Sequence, residues 1–403
     1  MSDLIYHAEV PDSAVARTAE LLSLAFGGSI ADCETWVRSA TGGGALQRTL
    51  APADQPDRPD ACLRIIPMGQ YFGGRAVPMG GIAGVAVAPE ARGRGLARRI
   101  MTEALRELHA QGTGLSCLYA STQSLYRQMG YEQAGHRGVL SLPIAQIDVR
   151  QRAGHWRVLP QDQRAALEPL YRAYAEVHNG PLDRNGVIWG RVWGMRDRQA
   201  VMYAWSEQPG WAPQAAVAVS QARTPSGKMD LTLADVAFTT AEGARAIWAF
   251  LHDFASMGER VLIPGGPWHP LVLLLEQQRL AFEFKDYWML RIVHLGNAIA
   301  ARGFAPGVSV KVHLEIADAV LPGNAGRWTL EVADGRGEIR PAGGASAAER
   351  SVCLTINALA SIYSGLASPA QLRAIGLVGG EDADVARLGA AFAGPAPFMI
   401  DFF

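Results

Sequence analysis

What the sequence lacks narrows the field first. Its four cysteines, Cys33, Cys62, Cys117 and Cys353, form no C-x-x-C pair and follow no regular spacing. That argues against a disulfide framework or a structural zinc site. The nine histidines are scattered, with no H-E-x-x-H pair, so no metal is expected. Neither a G-x-S-x-G nucleophile elbow nor a G-x-x-x-x-G-K-[ST] phosphate loop occurs. Basic charge is not in excess: 37 Lys and Arg stand against 38 Asp and Glu. The near-neutral balance does not suit nucleic-acid binding. No apolar run approaches the ~18 residues of a membrane span. Met1-Ser2-Asp3-Leu4-Ile5 has neither the basic nor the apolar part of a secretory signal, so a cytoplasmic location is expected.

What is present is a large apolar fraction, 49% of 403 residues, with only 19% charged. Such a chain can bury sizeable cores, and at ~150 residues per domain it divides into two or three. Residues 1–150 alternate strand and helix. Ile5–Val10 reads as a strand, Pro11-Asp12-Ser13 opens a helix reaching about Phe26, and Thr41–Gly44 reads as a loop. Leu63–Met68, Gly81–Val87 and Leu115–Ala120 have strand length and composition. Leu96, Ile100, Met101, Leu105 and Leu108 recur at helical spacing between Gly95 and about Ala110, and a short helix is expected around Tyr126. Residues 151–292 repeat the scheme: Gln163–His178 reads as helix, Leu231–Phe238 as strand, Ala241–Met257 as helix and Arg260–Ile263 as strand. Residues 293–403 change character. Helix Leu295–Gly303 precedes four candidate strands, then helices from about Ile356 and Pro369, an α+β order. The fold class is thus α/β to α+β, two copies of one unit followed by a third domain. The last residues, Pro397-Phe398-Met399-Ile400-Asp401-Phe402-Phe403, are too apolar for a solvated tail, since burying each large side chain is worth ~1.5–3 kcal/mol. A docked tail is expected.

The most informative stretch joins strand Val85-Ala86-Val87 to a helix through Arg92-Gly93-Arg94-Gly95-Leu96-Ala97. The unpaired amides and positive dipole end of a helix start attract anions. Gly93 and Gly95 let a pyrophosphate approach the backbone, and Arg92, Arg94, Arg98 and Arg99 add donors suited to phosphate oxygens. In the second copy the matching loop reads Thr239-Thr240-Ala241-Glu242-Gly243-Ala244-Arg245. The paired glycines and clustered arginines are gone and Glu242 would repel phosphate, so this unit is expected to keep the fold without the ligand.

The first loop resembles the acetyl-CoA signature of the GCN5-related N-acetyltransferases. With Ser121-Thr122-Gln123-Ser124-Leu125-Tyr126, Trp288-Met289-Leu290-Arg291-Ile292-Val293, the ending Asp401-Phe402-Phe403 and the three-part layout, the whole chain resembles the Eis (enhanced intracellular survival) family. That resemblance implies tandem acetyltransferase folds with the second degenerate, a sterol-carrier-like third domain, and acetyl-CoA as co-substrate without a metal. It also implies acetyl transfer to aminoglycoside-like or polyamine acceptors and a homo-oligomer, commonly a hexamer. The alternatives are a protein-lysine acetyltransferase or a non-enzymatic lipid- or CoA-binding protein.

Acetyl transfer to an amine requires a neutral nucleophile, an oxyanion donor and an acid for the departing thiolate. The resemblance assigns the acid to Tyr126 and the base to the α-carboxylate of Phe403. It also makes the backbone of Val85, Ala86 and Val87 the rail for the pantetheine arm, with Val85 N–H as oxyanion donor and Ser121 beside the cofactor. Phe26, Trp36 and Asp401 are expected in the acceptor pocket. Phe26 stands where some members carry an acid, so a pocket less attractive to polycations is expected. His109 and His136 read as surface or structural, and Trp189-Gly190-Arg191-Val192-Trp193 as core packing.

Overall fold

The computed structural model describes residues 4–194, 200–342 and 351–403. The first unit runs β1 (Leu4–His7), α1 (Val15–Phe26), α2 (Ile30–Gly43), β2 (Leu46–Pro52), β3 (Ala61–Phe72), β4 (Arg75–Val87), α3 (Leu96–Ala110), β5 (Leu115–Tyr119), α4 (Gln123–Gln128) and β6 (Glu132–Pro143). Helix α1 stops because Gly27 and Gly28 follow with φ of 78° and 87°. Helix α2 starts at Ser29, whose side chain accepts from the Asp32 amide, and runs through Gly43 to a left-handed Gly44. Thr41–Gly44 is therefore the end of a helix and not a free loop. The first strand also lies earlier than Ile5–Val10. Helix α3 buries Leu96, Ile100, Met101, Ala104, Leu105 and Leu108 as one stripe.

The second unit comprises β7 (His155–Val158), α5 (Glu168–Glu176), β8 (Leu182–Asp183), α6 (Gly186–Gly194), β9 (Val201–Ser206), β10 (Ala215–Arg223), β11 (Met229–Phe238), α7 (Ala241–His252), β12 (Gly258–Gly265) and β13 (Ala281–Ile292). The two units share one 13-stranded sheet among the described residues, ordered β1-β2-β3-β4-β5-β13-β6-β12-β11-β10-β9-β7, with β8 pairing β3. Their last strands are exchanged. Strand β13 pairs with β5 from Trp288↔Tyr119 to Ile292↔Leu115, and β6 pairs with β12 from Gly138↔Gly265 to Pro143↔Arg260. The two copies are consecutive in sequence but interlaced in space.

The third domain has α8 (Leu295–Ala301), β14 (Val310–Ala317), β15 (Gly326–Ala333), β16 (Arg336–Pro341), β17 (Val352–Thr355), α9 (Ile356–Ser364), α10 (Pro369–Ala374), β18 (Val378–Gly379) and α11 (Asp382–Phe392). Its five strands run in the order β16-β15-β14-β17-β18. It is packed onto the shared sheet: Val77 and Leu115 of the first unit and Trp288 of β13 share an apolar cluster with Ile356, Tyr363 and Phe392. The tail beyond α11 lies inside, with Phe398, Met399 and Phe403 buried and Phe402 partly exposed. Among the described residues no helix is long and apolar enough to cross a membrane.

Candidate active site

Strands β4 and β5 pair in parallel only from Met79↔Leu115 to Gly81↔Cys117, then part. Beyond that point a cleft of about 770 Å³ opens, lined on the β4 side by Ile82, Ala83, Gly84, Val85 and Val87, and on the other by Leu118, Tyr119, Ser121, Thr122, Leu125 and Tyr126. A bulge bends β4 here. Cys62 faces Ala86 and Arg64 faces Ala83, so Leu63 alone spans Gly84 and Val85. Gly84 has φ of 59°, and a Cβ there would lie 2.7 Å from the Trp36 ring. Only glycine meets both demands. Ala86 is buried in the apolar cluster and is not among the lining residues.

Val87 and Ala97 both line the cleft, and the arginine-glycine loop connects them. Arg92, Gly93, Arg94 and Gly95 are exposed, while Leu96 anchors the helix in the core. Gly93 and Gly95 are left-handed at φ of 77° and 73°. Helix α3 has no side-chain cap, and its first i→i−4 bond runs from the Arg99 amide to the Gly95 carbonyl. The preceding amides therefore have no acceptor within the helix. Arg94 reaches Asp60 at 3.3 Å, and Arg99 donates to the Leu4 carbonyl.

Tyr126 is 8% exposed on α4, with its ring edge-on to Tyr131 at 6.0 Å. Burial pushes its phenol up to about 12, so it stays protonated at neutral pH. The tail reaches the same cleft. The Phe403 ring packs where Gly81 leaves room, since a Cβ there would meet it at 2.8 Å. The Tyr119 ring lies tilted against Phe402 at 4.8 Å and edge-on to Phe403 at 5.7 Å, and its hydroxyl donates to the Asp401 carbonyl at 2.7 Å. Phe402 and Phe403 both line the cleft.

Phe26 and Trp36 line the cleft as well, Phe26 largely exposed. The buried Arg64 guanidinium lies over the Trp36 ring, 3.4 Å from its centroid. Burial, helped by the charge of Arg191, pushes Arg64 down to about 9. Asp401 departs from expectation. Its carboxylate is buried on Arg184 Nε at 3.0 Å, away from the cleft lining, because burial forces it onto a cation and the available one comes from the second unit. The carboxylate side chain among the lining residues is Asp32, which accepts from the Ser29 hydroxyl at 2.6 Å. Sequence reading missed both charged side chains of the lining. Asp32 was signalled by the Ser29-x-x-Asp32 helix start. Arg191 sits in the Trp189–Trp193 segment that reads as core; the two tryptophans do stack at 5.3 Å, but Arg191 reaches the cleft and donates to the Phe402 carbonyl at 3.0 Å. His109 stacks on His294 and His136 lies beside Tyr287, neither in the cleft lining. Among the described residues no cluster of His, Cys, Asp and Glu could hold a metal ion.

The corresponding place in the second unit is built differently. Strands β11 and β12 also pair in parallel and then part after Thr232↔Leu262. The Thr240 hydroxyl caps α7 by accepting from the Gly243 amide at 3.0 Å. Phe398 shares an apolar cluster with Ala218 and Ala237 and fits against Gly265 and Gly266. The tail thus occupies the gap between β11 and β12.

Comparison with known proteins matches this architecture part by part. Residues 9–134 and 180–292 each match an acetyltransferase (GNAT) domain family, and residues 295–400 match the sterol carrier protein domain. The whole chain superposes on a GCN5-related N-acetyltransferase from Anabaena variabilis with a TM-score of 0.90 and 31% identity, covering 100% of both chains. A GCN5-related N-acetyltransferase from Kribbella flavida gives 0.83 and 30%, covering 100% of this chain and 99% of that one. The N-acetyltransferase Eis of Mycobacterium tuberculosis is 28% identical over 389 residues, spanning 88% of this chain and 90% of that protein.

Proposed function

Because the chain belongs to the Eis family of GCN5-related N-acetyltransferases and is an acyltransferase, we propose that it moves acetyl from acetyl-CoA to the primary amine of a small molecule by direct attack on the thioester. The observation that carries this reading is one cleft lined by Tyr126 and Phe403, running to the uncapped start of α3. The free amides of that helix start, with Arg92 and Arg98, suit a pyrophosphate. The parted edge of β4 at Val85 and Val87 suits an extended arm that adds as a strand. The amine enters neutral, and the α-carboxylate of Phe403 takes its proton as the bond forms. The Val85 amide, turned by the Gly84 bulge, donates to the oxygen that gains charge. The Tyr126 phenol, kept neutral by burial, gives its proton to the departing sulfur.

The lining also bears on the acceptor. An aminoglycoside or polyamine needs several carboxylates, whereas the mostly apolar lining holds one carboxylate side chain, Asp32, together with Arg191, and the Arg64 guanidinium lies over the Trp36 ring. We therefore assign the acceptor to small primary amines with an apolar body, aminoglycosides and polyamines being poorer substrates. The hexamer implied by family resemblance stays part of this proposal, to be read by light scattering. The test is thiol release from acetyl-CoA with a panel of apolar amines, polyamines, aminoglycosides and lysine peptides, repeated with Tyr126→Phe and with one residue added after Phe403. Both changes should abolish most turnover while acetyl-CoA still binds. No release with any amine would end the enzymatic reading, and full activity of the extended chain would remove the Phe403 carboxylate from it.

A further inference from the structure

The residues that end the chain reach the first unit's cleft, but much of what holds them belongs to the second. Asn179 accepts the Phe398 amide at 3.1 Å on its carbonyl and donates its side-chain nitrogen to the Pro395 carbonyl at 3.1 Å. Arg191 donates to the Phe402 carbonyl. The strongest hold is on Asp401. Arg184, with no exposed side-chain surface, donates both terminal nitrogens to the Asp235 carboxylate at 2.8 Å each and its Nε to Asp401 at 3.0 Å. Its guanidinium lies 3.8 Å from the Tyr171 ring centroid and 4.8 Å from that of Trp189. The two-bond grip of Asp235 fixes the plane of the guanidinium beside the two rings, leaving Nε aimed at one place. Asp401 is two residues from Phe403, so what fixes one limits where the other can go.

Stability is a poor reason for such a cluster. Three buried charged groups are commonly no better than well-packed apolar ones, because desolvation offsets their attraction. Burial indeed raises the Asp401 carboxyl above its ordinary range, against the pull of Arg184. What the cluster supplies is direction. We propose that Arg184, oriented by Asp235, is a positioning residue for acetyl transfer: by gripping Asp401 it holds the Phe403 carboxylate against the cleft, and carrying this grip is what the second unit does. The inference rests on the reading of that carboxylate as the base.

The experiment uses the full-length protein and the variants Asp401→Asn, Asp235→Asn and Arg184→Lys, the first keeping shape and hydrogen bonding in case the others fold poorly. Three quantities are read: release of C-terminal phenylalanine by a carboxypeptidase, the Kd for acetyl-CoA, and kcat and KM across pH. The grip predicts that Asp401→Asn speeds phenylalanine release and lowers kcat, each about tenfold or more, with acetyl-CoA affinity unchanged. The pH at which the base loses its proton should also shift. Release and kcat within twofold of wild type in all three variants would overturn the grip. So would a fall in kcat that only tracks lost acetyl-CoA affinity and lost folding. Fast release with undiminished turnover would leave the grip standing and overturn the Phe403 base instead, so the two failures are told apart.

Discussion

Helices α3 and α7 open at the same place in two units of one plan, yet their first amides serve different ends. At α7 the Thr240 hydroxyl takes the Gly243 amide and Glu242 stands in the first turn, so the helix is closed by its own side chains. At α3 the cap is a left-handed Gly95 with no side chain to offer, followed by Arg98 and Arg99. The gaps between the parted strands differ in the same sense. In the first unit the gap is the cleft; in the second it holds Phe398. A self-satisfied helix start favours stability, whereas an unsatisfied one keeps donors for a ligand. The second unit has the first kind and has turned its vacant slot into a seat for the tail.

The comparison can be tested from its catalytic end down. Tyr126→Phe removes the proposed proton donor from the open unit and should lower kcat by about 10²–10⁴-fold with acetyl-CoA affinity kept, read by steady-state kinetics and calorimetry. Phe398→Ala empties the seat in the closed unit and should cost about 3–5 kcal/mol in denaturant unfolding. If the seat then accepted acetyl-CoA, calorimetry would show a second site; one site per chain is expected. Arg92→Ala with Arg98→Ala should raise the Kd for acetyl-CoA at least about tenfold, more at low than at high salt. Thr240→Ala should cost about 1 kcal/mol of stability and leave acetyl-CoA binding untouched. The smallest effect is on the pH profile. Burial raises the Tyr126 pKa to about 12, so its proton is held below that value and lost only as pH climbs through it. No falling limb in kcat should come from it between about pH 7 and 10.

Much of this contrast was legible in the residues. The glycines and arginines between Val87 and Leu96 are what an anion-holding helix start would need, and their replacement by Thr240 and Glu242 is visible in one line. The tail was legible too, because Phe398, Met399 and Phe403 are costly to leave in water, although Phe402 beside them stays exposed. What periodicity does not carry is partnership. Nothing in β6 or β13 says that each pairs with the other unit, since alternation reports faces and not neighbours. Asp401 was expected in the pocket as an acidic group close to the terminus, but nearness in sequence does not say on which side of the chain a carboxylate falls. Its partner Arg184 is 217 residues away, and an ion pair of that span leaves no local pattern.

The position of β13 between β5 and β6 bears on how a cell makes this protein. As the chain leaves the ribosome, β5 emerges with one edge bare and keeps it so until the far end of the second unit has been synthesised. An uncovered edge invites pairing with other nascent chains, so shielding by chaperones, or rapid translation through this interval, should matter more here than for two units that each close by themselves. A gene cut between the units would yield a first half whose sheet lacks its β13 neighbour.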